Sequence, residues 1–240
     1  IDARKYLSIK SVDFSLLRKM LIYSIPITPT LLFDWINGFL DRYFVGHYFS
    51  QTEVGLYGMG TRMVNVLTVL TSSFLSAYSS FAYSNAKKEE NRMQYSFVLD
   101  LLVIGLSSIA VVVSLFSKEI IQIMTAESYH SSYIVVGALL FAHIVHVLGL
   151  VAGYGITIQK KGILYLCVSG VGAFANVIMN FMLVPRYSFW GAAIATLVTE
   201  VIIFLISYYY SKKLFDCGYN LKKILLCILF SFGISYCFVD

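Results

Sequence analysis

The chain alternates between long apolar segments and short polar loops, and this alternation limits the folds open to it. Six of the segments have about the 20 residues that an α-helix needs to cross a bilayer core roughly 30 Å thick. Since backbone groups in lipid must be hydrogen-bonded within their own segment, helices are expected. The segments cover residues 17–40, 54–83, 95–116, 133–158, 163–184 and 192–210, and a seventh covers 224–239 at the end of the chain.

The composition agrees with a membrane location. Apolar residues make up 58% of the 240 residues and charged residues only 13%, whereas soluble domains carry about 25% charged residues. A chain of this length folded in water could not bury so many apolar helices on all sides. We therefore predict an all-α integral membrane protein, a bundle of six full transmembrane helices plus a truncated seventh.

Lysine and arginine are distributed unevenly between the alternate loops. The loops and ends on one side hold 14 of the 18 cationic residues, and the other side holds only Arg42, Arg62, Lys118 and Arg186. By the positive-inside rule, the N-terminus and the basic loops are cytoplasmic. The net charge of +5 is then a topology signal and a means of contacting anionic membrane lipid, and no nucleic-acid partner is expected.

The loops also predict a domain organisation. Residues 1–19 form a cytoplasmic linker or amphipathic leader, residues 20–214 form a six-helix transmembrane lobe, and residues 215–240 form a cytoplasmic loop and the start of a further transmembrane helix. Because the chain begins with Ile1 and ends at the last apolar segment, we expect it to be a fragment of a longer polypeptide.

Two polar or helix-breaking pairs lie inside the predicted spans. Pro26 and Pro29 each remove a backbone donor and are expected to break the first span, either as a static bend or as a hinge. Asn176 and Asn180 are four residues apart and share one helix face. Their amides are expected to pack against another helix, with substrate contact as the alternative.

Asp34 and Arg62 are ionisable residues within adjacent antiparallel spans, where a charge is costly unless it is paired or functional. At 1.5 Å per residue they lie about 10 Å and 12 Å inside the same boundary. They could form a static ion pair. In the functional interpretation, the planar guanidinium of Arg62 binds a diphosphate through two parallel hydrogen bonds, and Asp34 tunes it.

Other charged residues have two interpretations each. Asp41 and Arg42 lie at the outer mouth, where they either anchor the helix or extend the substrate site. Glu200 is either an ion or proton site or a contact that holds helices together. His143 and His146 form an HxxH pair that could bind a metal, but no third ligand is evident. Hydrogen-bonded buried histidines are the preferred interpretation, and no cofactor is expected.

Two stretches of the chain resemble the polysaccharide-exporting flippases of the multidrug/oligosaccharidyl-lipid/polysaccharide superfamily. One matches a P…D-R-Y-x-x-G…E-x-G-x-Y pattern, and the other a G-x3-N-x3-N…P-x5-G-A-A-x-A-T pattern. The matching residues are Pro26, Asp41, Arg42, Tyr43, Gly46, Glu53, Gly55 and Tyr57, and then Gly172, Asn176, Asn180, Pro185, Gly191, Ala192, Ala193, Ala195 and Thr196.

The resemblance implies the second half of a two-lobe transporter, with the N-terminal lobe of the same polypeptide as a missing partner. Such transporters flip a polyprenyl-diphosphate-linked oligosaccharide, such as an O-antigen unit for lipopolysaccharide, across the bacterial inner membrane by alternating access. They are not enzymes. By this resemblance, the arginine-rich substrate site would lie partly in this chain and largely in the missing lobe.

Two other functions stay open from the sequence. A cation-coupled antiporter of drugs or other small molecules would use acidic cavity residues and would have little use for Arg62. A membrane-embedded acyl- or glycosyltransferase would depend on His143 or His146 as a base. No arrangement of nucleophile, base and orienting residue is evident, so the flippase is the preferred function.

Overall fold

The computed structural model describes residues 13–85, 92–215 and 218–237. This part of the chain is helical and contains no strand, which confirms the all-α class. The leader predicted over residues 1–19 lies mostly outside it. The elements are α1 (Phe14–Tyr48), α2 (Gln51–Asn85), α3 (Arg92–Leu115), α4 (Ser117–Met124), a 3₁₀ segment (Glu127–Ser132), α5 (Tyr133–Ala152), α6 (Tyr154–Ile158), α7 (Gly162–Leu214) and α8 (Leu221–Cys237).

Four helical stretches of the described chain are long and apolar enough to cross a membrane. They are α1, residues Gln94–Leu115 of α3, the stretch Glu127–Ile158 that contains α5, and α7. The predicted count of six spans plus a truncated seventh is therefore not confirmed. Helix α2 is as long as α1, with 35 residues, but its many serines and threonines make it less apolar. Helix α8 has only 17 residues.

Helix α7 has 53 residues, but it is not one straight rod. Its backbone leaves the helical region at Ser188, where φ is 52° and ψ is −138°. A Cβ atom added at Gly191 would lie 2.5 Å from the carbonyl oxygen of Leu183, and one at Gly172 would collide with the side chain of Ile203. The two halves therefore fold back on each other as an antiparallel hairpin, and the glycines permit their close approach.

The prolines of α1 do not interrupt it. Pro26 and Pro29 lie inside the continuous helix Phe14–Tyr48, so the expected break is absent. The role of these prolines as a hinge stays a prediction. The start of α7 packs against this stretch, because a Cβ atom at Gly162 would lie 2.8 Å from the carbonyl oxygen of Tyr23. Support from a neighbouring helix is the usual way in which proline is accommodated in a membrane helix.

Helix α5 occupies the centre of the bundle and packs against α2, α3, α7 and α8. In the most apolar 18 consecutive residues of the stretch that contains it, 72% of the residues are buried, whereas only 6% are buried in the corresponding part of α1. Gly149 lies at the contact between α5 and α7, since an added Cβ atom would lie 3.6 Å from the Cα atom of Phe204. Much of α1 therefore faces away from the bundle.

The connections between helices gather at two ends of the bundle. At the α1–α2 end, Tyr129 packs over Gly55 and Trp190 stacks on Tyr236. At the opposite end, the Nζ atom of Lys223 lies 2.5 Å from the Oδ2 atom of Asp100. That opposite end also holds the exposed pairs Lys160 and Lys161, and Lys212 and Lys213, so the described part of the chain keeps its basic loops together.

This arrangement makes the membrane orientation testable. On a background without the four native cysteines, we expect Ser128→Cys to react with an impermeant thiol reagent added to intact cells and Lys161→Cys to react only after permeabilisation. Both positions are exposed, so accessibility within the fold is matched. The opposite labelling pattern would place the basic loops outside the cytoplasm and contradict the positive-inside assignment.

Candidate functional site

Asp41 near the end of α1 is the centre of a buried hydrogen-bond cluster. The residue is 3% exposed, and both of its carboxylate oxygens accept hydrogen bonds. The hydroxyls of Tyr57 and Thr196 each donate to Oδ2 at 2.8 Å. The Nδ2 amide of Asn180 donates to Oδ1 at 2.8 Å, and that of Asn176 approaches the same oxygen at 3.4 Å.

The cluster connects three helices through one carboxylate. Asp41 belongs to α1, Tyr57 belongs to α2, and the remaining donors lie on the two halves of the α7 hairpin. Buried polar groups of this kind need partners because an unpaired one is costly in an apolar medium. The residues that carry the resemblance in two distant stretches of the sequence thus contact each other directly.

A polar cavity of about 660 Å³ lies beside this cluster at the α1–α2 end. Two guanidinium groups line it, and both arginines are exposed. Arg42 donates from Nη2 to the hydroxyl of Thr61 at 3.3 Å, and the two ion pairs within the described residues involve neither arginine. We call this the arginine cavity, and the polar side chains that line it include Arg42, Gln51, Thr61, Arg62, Asn65 and Tyr129.

A second cavity, of about 430 Å³, lies deeper along α2 and α5. Its acidic and imidazole side chains are those of Asp34, Asp41, His143, His146 and Glu200, so the Asp41 cluster borders this cavity. The Nδ1 atom of His146 lies 3.1 Å from the Oε2 atom of Glu200, and the Nε2 atom of His143 lies 3.0 Å from the hydroxyl of Thr71. We call this the histidine cavity.

The two cavities adjoin each other. Arg42, Thr61 and Asn65 line both of them, so one polar surface continues from the arginines at the α1–α2 end to Glu200 deeper in the bundle. Charged and amide side chains in membrane segments are rare and usually face a bundle interior or a water-filled cavity. This combined surface is the candidate functional site.

The structure separates two residues that the sequence suggested as a pair. Asp34 lines the histidine cavity and Arg62 lines the arginine cavity, and no ion pair joins them within the described chain. Their shared depth is therefore not sufficient for contact, because the rotation of each helix about its axis directs the side chains into different cavities.

The histidines have partners other than each other. Their rings lie 6.4 Å apart between centroids, and each ring nitrogen named above contacts an oxygen on a neighbouring helix. Across residues 13–85, 92–215 and 218–237, no group of three or more His, Cys, Asp or Glu side chains lies close enough to hold a metal ion.

Several residues of the site were not singled out from the sequence. Thr61, Asn65 and Tyr129 carry no motif signal, and only the folded arrangement places them in the arginine cavity. Tyr57 and Thr196 belong to the two sequence patterns that match the flippase family, and this match was the one indication that they are important. The sequence predicted that Asn176 and Asn180 pack against another helix, and the structure places both amides against the carboxylate of Asp41.

The fold and this site define a helical membrane protein with a charged cavity surface among apolar helices. The sequence model of a family described as polysaccharide biosynthesis protein matches residues 5–134, which is more than half of the chain. The chain belongs to this family.

Two curated relatives are similar to the chain. It is 22% identical over 219 residues to the capsular polysaccharide biosynthesis protein CapF of Staphylococcus aureus, which covers 88% of this chain and 55% of the relative. It is 28% identical over 91 residues to a protein of the Lsg locus of Haemophilus influenzae, which covers 36% of this chain and 23% of the relative. The chain thus spans about half the length of CapF and a smaller share of the length of the Lsg locus protein. No solved structure matches it.

Proposed function

We propose that this chain is part of a transporter that flips a polyprenyl-diphosphate-linked oligosaccharide, such as an O-antigen or capsule repeat unit, across the bacterial inner membrane. Membership of the polysaccharide biosynthesis family supports the glycan, and the apolar helices support a membrane location. The reaction transfers a molecule between leaflets and breaks no covalent bond, so the chain needs a binding surface and no catalytic residues.

The arginine cavity is the observation that carries this proposal. Arg42 and Arg62 are exposed, line one cavity and lack a carboxylate partner in the described chain. Arginine suits phosphate groups because its planar fork donates two parallel hydrogen bonds. A diphosphate would neutralise both guanidinium groups at once, and the polyprenyl tail would stay in the surrounding lipid.

The other half of the longer polypeptide completes the transporter in this proposal. CapF is nearly twice as long as the region it shares with this chain, and α1 exposes large apolar side chains such as Leu31, Leu32 and Trp35. These apolar side chains are equally suited to contact lipid or a second lobe. Alternating access would move the diphosphate between the two ends by rocking one lobe against the other.

The full-length protein in proteoliposomes tests the function directly. With undecaprenyl diphosphate bearing an oligosaccharide in the inner leaflet, we expect the sugar to become accessible to a glycosidase outside the vesicles faster than in protein-free vesicles. Protein-free vesicles and vesicles with an unrelated helical membrane protein are the controls. Equal rates in all three preparations would contradict the flippase proposal.

A cation-coupled antiporter is the second candidate, and the histidine cavity favours it. Asp34 and the pair of His146 with Glu200 offer carboxylates in a membrane-embedded cavity, as an acidic cation site requires. Efflux of a cationic dye from the same vesicles, lost in Glu200→Gln and retained in Arg62→Ala, would support this candidate over the flippase.

A further inference from the structure

One wall of the arginine cavity comes from the end of α4 and the 3₁₀ segment that follows it. Met124, Thr125, Ala126 and Tyr129 line the cavity from this side, whereas the arginines reach it from α1 and α2. A ligand whose phosphates contact the arginines would therefore also meet this segment, because the same cavity holds both walls.

Tyr129 has the geometry of a contact residue in this wall. The Cε1 edge of its ring packs over Gly55, since a Cβ atom added at Gly55 would lie 3.4 Å from Cε1. The residue is still 41% exposed. Its backbone N–H donates to the carbonyl of Ala126 and its own carbonyl accepts from Ser132, whereas the phenol hydroxyl has no partner among the described residues. An aromatic face and a free hydroxyl together suit a ligand that is apolar on one side and polar on the other.

The cavity is larger than a diphosphate requires. At about 660 Å³ it lies within the roughly 300–1,000 Å³ of pockets that enclose ligands of drug size. Neutral polar side chains line the remaining space, among them Gln51, Thr61 and Asn65. Amides and hydroxyls both donate and accept hydrogen bonds, which is the chemistry that sugar hydroxyls need.

We propose that Tyr129 forms a sugar-binding subsite, in which its ring stacks on the first sugar beyond the diphosphate. The inference rests on the proposed function, since it takes the arginines as the diphosphate contacts. The carrier lipid is then bound by its charge, whereas Tyr129 distinguishes a carrier that bears a sugar from one that does not. Gly55 supports the ring here, since the ring packs over it at a distance of ordinary van der Waals contact.

Binding to the purified full-length protein in detergent separates these roles. The two probes are undecaprenyl diphosphate and undecaprenyl diphosphate bearing a single N-acetylglucosamine. We expect Tyr129→Ala to weaken binding of the sugar-bearing lipid about tenfold, because the variant loses one aromatic contact and the phenol hydroxyl. Binding of the sugar-free lipid should stay within about twofold of the unaltered protein.

Matched variants control for structural damage. Tyr129→Phe keeps the ring and should retain most of the binding of the sugar-bearing lipid. Tyr187→Ala removes an exposed tyrosine that does not line the arginine cavity and should leave both affinities unchanged. Arg62→Ala should weaken both lipids, since both carry the diphosphate.

The outcomes distinguish the subsite from the function. If Tyr129→Ala weakens both lipids equally, or weakens neither, Tyr129 does not recognise the sugar and the inference is overturned. If the unaltered protein binds neither lipid, the proposed function fails and the subsite with it. If Arg62→Ala loses both lipids while Tyr129→Ala binds both as well as the unaltered protein, the function stands without the subsite.

Discussion

Replacing Arg62 by alanine should abolish export of surface glycan by the full-length protein. A charge-assisted hydrogen bond is worth about 1.5–3 kcal/mol, and Arg62 offers two in parallel to a phosphate. Losing both should weaken binding of the diphosphate by roughly 10²–10⁴-fold. The measurement is surface polysaccharide per cell in a strain that lacks its own flippase, with the amount of membrane-inserted protein determined in parallel.

The conservative and matched variants sharpen this prediction. Arg62→Lys should restore little export, because a point charge cannot reproduce the planar fork of the guanidinium. Arg186→Ala removes an exposed arginine near the turn of α7 that lines neither cavity, and it should leave export unchanged. Full export by Arg62→Ala at normal protein levels would show that Arg62 does not bind the diphosphate.

The helical membrane class was predictable because it depends on local composition. Apolar length and backbone hydrogen bonding in lipid leave little choice of structure, and the loops between the segments could be located from their polarity. The span count was harder to predict. Helix α2 carries enough serine and threonine to fall between a membrane span and a polar cavity wall, and the cavities of the structure lie along it.

The contacts of Asp41 could not be derived from spacing. Its donor Thr196 lies 155 positions away in the sequence, and helical periodicity relates only residues a few positions apart. The resemblance contained all five members of the cluster, but their common contact required the α7 hairpin to pack beside α1.

Asp34, Arg62 and Glu200 illustrate the same limit in a different way. Their depth follows from the 1.5 Å rise per residue, and this was enough to suggest that Asp34 and Arg62 meet. The direction of each side chain depends on the rotation of its helix, which packing fixes. Arg62 consequently lines the arginine cavity, while Glu200 meets His146 across the interface between α5 and α7.

The second large effect is expected on stability, from replacement of Asp41 by alanine. The change leaves Tyr57, Thr196 and Asn180 without the buried carboxylate that they share as an acceptor. Interhelical hydrogen bonds in membranes are worth about 0.6–2 kcal/mol each, so loss of the acceptor shared by three donors costs roughly 2–6 kcal/mol. We therefore expect the thermal unfolding midpoint in detergent to fall on the order of 10 °C.

The design of this experiment also decides whether Asp41 contacts the substrate. Asp34→Ala is the matched control, because it removes a carboxylate from the same helix without touching the cluster, and its unfolding midpoint should move by no more than about 3 °C. Thr196→Val removes a single donor and should produce a small fraction of the Asp41 effect. If Asp41→Ala keeps the midpoint of the unaltered protein and still loses export, the carboxylate acts on the transported lipid. Its role as the connection between α1, α2 and α7 would then be wrong.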